Sequence, residues 1–192
     1  MEQKISAILL AAGLSRRMGE DKLLIEYRGK TLLQRAVDLL AGLPVHEKIL
    51  VTTAERLETI LLPQGGRAEI NANLGEGLSG SIRLGLETAS GEWYLFLTAD
   101  QPELTMEDVL PLLGYAGQDS DKDKIVYPVI NGAPCTPSLF SSCFRAELLA
   151  LSGDTGGRAV REAHPEACIE VTPNHPAHFS DIDYPEDLTA VG

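Results

Sequence analysis

The sequence predicts an α/β fold made of one domain, in which a mostly parallel sheet is flanked by helices. Short apolar runs of strand length alternate along the chain with segments whose apolar side chains have helical spacing. Strands that alternate with helices in this way are typical of βαβ units and parallel sheets. The chain has 192 residues, which is enough for one domain with a full-sized core.

The predicted elements follow one another with few long connections. Strands are expected over residues 5–10, 48–52, 67–71, 93–98, 125–130 and 168–171. Helices are expected over residues 30–40, 54–62, 79–89, 106–115, 143–151 and 158–163, with a last helical turn over 185–190. After residue 130 the rhythm changes to segments rich in Gly and Pro. We therefore expect residues 1–130 to form the ligand-binding part and residues 131–192 to elaborate the same domain.

Composition excludes several classes of protein. The formal net charge of −12 argues against a nucleic-acid surface, which needs a basic patch. The three cysteines are widely spaced and contain no C-x-x-C pair, so neither a disulfide framework nor a zinc site is indicated. No signal-peptide pattern and no apolar run of membrane-spanning length is present. A cytoplasmic protein without membrane contact is expected.

The segment after the first strand has the composition of an anion-binding loop. Gly13, Gly19 and Lys22 accompany a serine and two arginines, and glycines let backbone N–H groups approach a ligand while cations neutralise its charge. The glycine spacing fits neither the Walker loop nor the dinucleotide pattern G-x-G-x-x-G. Ligands of open α/β sheets bind beyond the carboxyl ends of strands, so the position favours a phosphate site. The alternative is a glycine-rich turn with solvated arginines.

Residues 10–24 read LAAGLSRRMGEDKLL and resemble the signature loop of the MobA-like nucleotidyltransferases, L-A-[AG]-G-x-S-x-R-M-G-x-x-K. The resemblance implies a Rossmann-like α/β domain whose loop wraps the triphosphate of an NTP. LAAG rather than LAGG is more similar to the molybdenum cofactor cytidylyltransferase branch than to the guanylyltransferase branch. The residues that it assigns to the nucleotide are Leu10, Ala11, Ala12, Gly13, Ser15, Arg16 and Lys22, of which Arg16 and Lys22 hold phosphate oxygens and act in catalysis.

A second candidate site follows the strand predicted over residues 93–98. Asp100 stands where an α/β sheet presents its chemistry, and Mg²⁺ prefers one or two carboxylates together with substrate phosphates. The residue could instead cap the turn before Pro102. The family pattern has a matching aspartate followed by Gln-Pro, which implies that Asp100 is catalytic and binds Mg²⁺.

The C-terminal segment offers a partner carboxylate. Residues 181–188, DIDYPEDL, are similar to the family ending D-I-D-T-P-E-D-L, with Tyr184 in place of threonine. In an extended segment Asp181 and Asp183 would point to the same side. Asp183 is the preferred second metal ligand, although the sequence leaves the choice between the two open. Asp183 could also serve as the N-cap of a helix that starts at Pro185.

Residues 77–86, GLSGSIRLGL, are similar to the G-L-S-S-S-L-R-x-G-L element of the cytidylyltransferase branch. The resemblance places Gly77, Ser79 and Ser81 beside the bound nucleotide. From the residues alone, Ser79 or Ser81 could cap the following helix, whose N-terminal turn attracts anions. A helix cap without a ligand is the alternative.

The acceptor side rests on weaker matches. Gly132 belongs to a segment similar to the family's G-[HR]-P-V-L-F, in which Ala133 departs from the pattern. Residues 151–158, LSGDTGGR, are similar to L-x-G-D-x-G-A-R. The acceptor-binding residues implied are Gly132, Asp154, Gly156 and Arg158. His175 and His178 lie in an irregular loop around Pro176, without a third soft ligand, so a loop is preferred over a metal site there.

Together these features predict a Mg²⁺-dependent nucleotidyltransferase. The resemblance implies transfer of CMP from CTP to molybdopterin, which forms a pterin dinucleotide and releases pyrophosphate. The alternatives are a relative that uses GTP, one that acts on a sugar phosphate or another phosphorylated small molecule, or a non-catalytic chaperone that hands cofactor to a molybdoenzyme. The sequence does not identify such a partner enzyme.

Overall fold

A computed structural model describes residues 4–13, 21–116, 123–184 and 186–187, and within them the chain forms one eight-stranded sheet and a small two-stranded sheet. The strands are β1 (Ile5–Ala11), β2 (Glu26–Tyr27), β3 (Lys30–Thr31), β4 (Glu47–Thr52), β5 (Arg67–Ile70), β6 (Trp93–Thr98), β7 (Ile125–Ile130), β8 (Ala133–Pro134), β9 (Ser138–Ser141) and β10 (Cys168–Val171). The main sheet has the order β10-β7-β9-β6-β1-β4-β5, and β8 pairs with β7.

Pairing in the main sheet is mostly parallel. Strand β1 is parallel to both β4 and β6, β4 is parallel to β5, and β10 is parallel to β7. Strand β9 is the exception in the middle, because it runs antiparallel to both β6 and β7. The predicted α/β fold class with a mostly parallel sheet is confirmed. Strand β9 was not predicted, because its residues lie in a segment rich in Pro and small side chains.

Helices pack on both faces of the sheet. They are α1 (Leu32–Gly42), α2 (Ala54–Leu57), α3 (Gly77–Thr88), α4 (Met106–Leu113), α5 (Arg145–Leu149) and α6 (Gly157–Ala163), and several short 3₁₀ helices lie between them. The buried side chains of α1 and α4 join one hydrophobic cluster, while those of α3, α5 and α6 join a second. Strand β1 supplies both clusters, because its successive side chains point to opposite faces: Ile5, Ala7 and Leu9 face one and Ile8 faces the other.

Several helix boundaries differ from the expectation. Helix α1 begins two residues later than predicted, where the Thr31 side chain accepts a hydrogen bond from the Gln34 amide and caps the first turn. Helix α2 ends early, because both the amide and the hydroxyl of Thr59 bond to the Arg56 carbonyl. The helical turn predicted over residues 185–190 lies largely outside the described residues.

The part of the chain beyond residue 130 contributes β8, β9 and β10 to the main sheet. Its segments therefore pack on the same core as the preceding strands. Among the described residues, no helix has the length and apolar character that crossing a bilayer requires.

Candidate active site

One open cavity of about 560 Å³ lies at the carboxyl ends of the central strands. Strand β1 contributes the end of its run, β6 contributes the residues that follow it, and α3 contributes its first turns. Two further segments close the sides, one around Gly153 and one around Asp183. The position matches the rule that ligands of open α/β sheets bind at this edge, where the central strands present their carboxyl ends.

A lysine bridges two carboxylates on one wall of this cavity. The Nζ atom of Lys22 donates to Oδ2 of Asp100 at 2.9 Å and to Oδ1 of Asp183 at 3.1 Å. It also donates to the carbonyl oxygen of Ile182 at 3.0 Å. The structure thus brings together three predicted site residues that are far apart in sequence, and the ammonium of Lys22 lies between the two carboxylates.

The C-terminal segment reaches this wall through backbone and amide contacts. The amide of Ile182 donates to the carbonyl oxygen of Asp100 at 2.8 Å. The Nε2 atom of the buried Gln101 donates to the carbonyl oxygens of Phe179 at 3.0 Å and Thr136 at 3.3 Å. Gln101 thus connects the end of β6, the loop before β9 and the C-terminal segment. These contacts hold Asp183 beside Asp100.

The charges and the burial in the cluster raise the pKa values of both Lys22 and Asp181, which favours the charged form of the lysine and the neutral form of the aspartate. Burial opposes the charged form of Lys22, but the attraction of Asp100 and the hydrogen bonds to both carboxylates outweigh it, and the pKa of Lys22 lies above its usual value. The side chain of Asp181 has an exposed surface, yet the protein atoms packed around its carboxyl and the charge of Asp100 raise its pKa to about 6. Of the two C-terminal aspartates, Asp183 rather than Asp181 lines the cavity.

The surroundings of the two carboxylates bear on whether they could bind a divalent cation. The Oδ1 atom of Asp100 is buried and accepts no hydrogen bond from any residue that the structure describes. A buried carboxylate oxygen without a donor suits a cation ligand. Within the same residues no cluster of three or more His, Cys, Asp or Glu side chains is placed to hold a metal. Asp100 and Asp183 could thus supply two carboxylate ligands to a Mg²⁺, whose remaining ligands would have to come from substrate oxygens and water.

The end of β1, whose residues the resemblance assigns to the nucleotide, forms the floor of the cavity. Leu10, Ala11, Ala12 and Gly13 all line it, and Ala12 is only 2% exposed. No atom of the residues that the structure describes lies within 4 Å of the place where Gly13 would carry a Cβ. The predicted phosphate contacts Ser15 and Arg16 lie outside the described residues and stay predictions.

The start of α3 forms the wall opposite Lys22. Gly77 and Ser81 line the cavity, whereas Ser79 is buried beneath it with its hydroxyl donating to the carbonyl oxygen of Glu76. Neither serine caps the helix, because α3 already begins at Gly77. Gly77 has a positive φ of 66°, which glycine adopts without strain, so the helix can begin at this residue. A Cβ at the same position would lie 2.5 Å from Oδ1 of Asp154.

The predicted acceptor residues separate into two groups. Asp154 lines the cavity beside Gly153, whose carbonyl oxygen accepts a hydrogen bond from the Ser79 amide. Gly156 packs beneath the rim, where a Cβ would lie 2.7 Å from the Leu78 side chain. The structure does not bring Gly132 or Arg158 to the cavity.

Both of these residues have other surroundings. Gly132 occupies the exposed turn between β7 and β8 with a φ of 79°. The Arg158 side chain is 78% exposed and pairs with Glu162 one helical turn later. Their predicted roles toward an acceptor therefore have no support from their positions.

Sequence reasoning missed Asn71, which lies in the cavity wall although it is only 4% exposed. Its Nδ2 atom donates to the Ser81 hydroxyl at 3.1 Å, and its Oδ1 atom accepts from the Asn73 amide at 3.0 Å. Its place directly after β5 could have identified Asn71 in the sequence, since polar residues at the carboxyl edge of a parallel sheet face the ligand site. The cavity thus has a polar amide and hydroxyl pair opposite the end of β1.

Comparison with known proteins gives the chain its family. Residues 7–168 match the family model described as the MobA-like NTP transferase domain, and the chain belongs to that family. A probable molybdenum cofactor guanylyltransferase of Bacillus cytotoxicus is 26% identical over 68% of this chain and 64% of its own length. Another, from Trichormus variabilis, is 36% identical over 54% of this chain and 49% of its own length. The chain thus matches less than two thirds of either relative.

Solved structures share the fold at low sequence identity. Rv0371c of Mycobacterium tuberculosis superposes with a TM-score of 0.80 at 20% identity, covering 100% of this chain and 98% of that one. A nucleotidyl transferase from Methanothermobacter gives a TM-score of 0.80 at 21% identity, covering 98% and 95%. A 4-diphosphocytidyl-2C-methyl-D-erythritol synthase from Anaerococcus prevotii gives 0.74 at 19% identity, covering 99% and 95%. These likenesses concern the fold of the chain.

Proposed function

We propose that this member of the MobA-like NTP transferase family transfers a nucleotidyl group from an NTP to a phosphorylated pterin and releases pyrophosphate. The observation that carries the proposal is the single cavity shared by the end of β1, the start of α3 and the cluster of Lys22, Asp100 and Asp183. An acceptor phosphate oxygen attacks the α-phosphorus of the NTP, and the bond to the pyrophosphate oxygen breaks. This chemistry depends on positioning and charge neutralisation rather than on a covalent protein intermediate.

Each side of the cavity has a part in this reaction. The backbone from residue 11 to residue 13 receives the nucleotide at the floor. The ammonium of Lys22 leaves the two carboxylates and pairs with phosphate oxygens, where it offsets the charge of the departing pyrophosphate. Asp100 and Asp183 would hold Mg²⁺, and the ion would supply Lewis-acid polarisation of the phosphate. Arg16 adds a second cation in the proposal, by resemblance to the family.

We infer that CTP is the preferred nucleotide. Ala12 stands where the guanylyltransferase branch has glycine, and it lines the cavity floor although it is buried and belongs to the second hydrophobic cluster. In this proposal the methyl group, which glycine lacks, keeps the floor backbone closer to the base and so favours a pyrimidine over the larger purine. Asn71 and Ser81 offer amide and hydroxyl groups for hydrogen bonds to a base.

A GTP-dependent enzyme is the second candidate. The observation that favours it is the chain's similarity to two relatives named as probable molybdenum cofactor guanylyltransferases. Sugar-phosphate and other acceptors are the alternatives on the second-substrate side, because the acceptor residues predicted from sequence do not all reach the cavity.

The test is pyrophosphate release from the purified protein with Mg²⁺, each of the four NTPs and molybdopterin. CTP is expected to give the highest rate, and the Ala12→Gly variant is expected to shift the CTP-to-GTP ratio of kcat/KM toward GTP. The matched control is Ala99→Gly, which removes a methyl group at the opposite, carboxylate end of the same cavity. That control should leave the ratio unchanged.

Other outcomes distinguish the alternatives. Faster release with GTP than with CTP would assign the chain to the second candidate. Release only with a sugar phosphate would overturn the pterin acceptor. Tight CTP binding without release of pyrophosphate, whichever acceptor is supplied, would favour a non-catalytic chaperone that serves a molybdoenzyme.

A further inference from the structure

Arg56 is a buried arginine that lies behind the cavity floor. It belongs to the short helix α2, is 4% exposed, and does not line the cavity. A guanidinium is always charged, so burying it is costly unless its N–H groups are paired. The contacts of this side chain therefore indicate what its burial achieves.

The guanidinium of Arg56 makes four short hydrogen bonds. Its Nη1 atom donates to the carbonyl oxygen of Ala11 at 2.7 Å, and Nη2 donates to that of Gly13 at 2.9 Å. Nε donates to Oδ2 of Asp21 at 2.7 Å, and Nη2 also donates to Oδ1 of the same carboxylate at 2.8 Å. The pair with Asp21 is bidentate, which fixes its geometry as well as its distance.

These contacts join two parts of the site that are separated in sequence. Ala11 and Gly13 are the backbone of the cavity floor, and Asp21 directly precedes Lys22. Oδ1 of Asp21 also accepts from the Leu23 amide at 3.2 Å, so the same carboxylate caps the 3₁₀ helix that begins at Lys22. One planar guanidinium thus sets the distance between the floor and the segment that carries Lys22.

We propose that Arg56 is a positioning residue for the nucleotide. It holds the floor backbone and Lys22 in the relative arrangement that the NTP phosphates require, without touching the ligand itself. A preformed arrangement removes an ordering cost that binding would otherwise carry. The inference rests on the proposed function, because it concerns the affinity of the same cavity for an NTP.

The experiment compares NTP affinity in two variants with that in the wild type. Arg56→Lys keeps the positive charge but loses the planar fork, and Asp21→Asn keeps the size of its side chain but loses the negative charge. The Kd for CTP is measured by calorimetry with Mg²⁺ and without acceptor, well below each variant's Tm. Each single variant is expected to raise this Kd about tenfold. The double variant is expected to raise the Kd no more than either single variant does, since both changes break one shared contact.

Arg67→Lys on strand β5 is the matched control, because it makes the same change at an exposed arginine. Its Kd should equal that of the wild type. A merely structural role of Arg56 predicts a lower Tm with an unchanged Kd, and that result would overturn the inference. If Arg56→Lys does not fold, the Kd of Asp21→Asn decides.

The two proposals fail in different ways. A wild-type protein that binds none of the four NTPs overturns the proposed function and this inference together. A wild-type protein that binds CTP with the same Kd as both variants overturns the role of Arg56 alone.

Discussion

Replacing Lys22 by methionine is expected to tighten binding of Mn²⁺ to the protein when no nucleotide is present. The Lys22 ammonium lies 2.9 Å from Asp100 and 3.1 Å from Asp183, so it holds the space between the carboxylates that a divalent cation would take. A cation that uses both carboxylates must first displace this ammonium. Methionine keeps an unbranched apolar stem that is one heavy atom shorter than the lysine side chain, and it removes the competing charge.

The magnitude follows from the two ion pairs that the cation has to break. The Lys22 side chain is 16% exposed, and those of Asp100 and Asp183 are 23% and 44% exposed, so solvent screens both pairs in part. Partly screened pairs of this kind are worth about 0.5–1.5 kcal/mol each. Their sum of about 1–3 kcal/mol corresponds to roughly 5- to 150-fold tighter Mn²⁺ binding, since about 1.4 kcal/mol is tenfold.

The assay is titration of Mn²⁺ by electron paramagnetic resonance, which counts free ions and does not depend on activity. Lys30→Met is the matched control, because it removes an equally charged lysine from an exposed pair with Asp38, away from the cavity. An Asp100→Asn change in the Lys22→Met background should abolish the gain. Mn²⁺ binding by Lys22→Met that is no tighter than by the wild type and Lys30→Met would refute the reasoning.

Three further changes test the site and the fold. Asp100→Asn should lower pyrophosphate release by about 10²–10³-fold with an unchanged Tm, because it removes a charge that acts on the reacting phosphates; near-normal turnover would contradict the assignment. Asp108→Asn should cost about 1–3 kcal/mol in urea unfolding at pH 7, since the buried carboxylate accepts from Thr105 and pairs with His178. Burial opposes ionisation of Asp108, yet these hydrogen bonds lower its pKa below the ordinary value of 3.8. The stabilisation that the carboxylate contributes is therefore complete above pH 3.8 and is lost as the pH falls through the lowered pKa. The difference between wild type and Asp108→Asn should therefore narrow only below about pH 4, and a gap that persists unchanged in strong acid would argue against this. Gly85→Ala should lower the free energy of unfolding by about 1–3 kcal/mol, because its Cβ would lie 2.5 Å from the Ile8 side chain. At Gly42 an added Cβ would meet no atom of the described residues within 4 Å, so Gly42→Ala should be nearly neutral in thermal unfolding.

Local sequence patterns were sufficient for most of the main sheet. Strands β6 and β7 have the predicted bounds, and β1 and β4 each differ from the prediction by one residue. A buried strand in an α/β fold is a continuous apolar run, so it can be recognised without knowing which strands it pairs with. Strand β9 was missed because its strand character comes from pairing with β6 and β7 rather than from its own residues. The start of α3 was placed too late because the turn at Gly77 depends on the packing of Asp154 against it.

The candidate site also has features that local sequence predicts and features that only the tertiary structure shows. The sequence by itself determined the family resemblance and singled out the end of β1, Lys22, Asp100 and Asp183 as candidate site residues, because they belong to short motifs that can be recognised locally. Only the tertiary structure decided that Lys22 bridges both carboxylates, that Asn71 enters the cavity wall, and that Arg158 lies outside the cavity. Contacts across 78 or 161 residues, such as those of Lys22, are set by how the sheet orders its strands. No local pattern in the chain records that order, because it follows from the burial of both faces of the sheet at once.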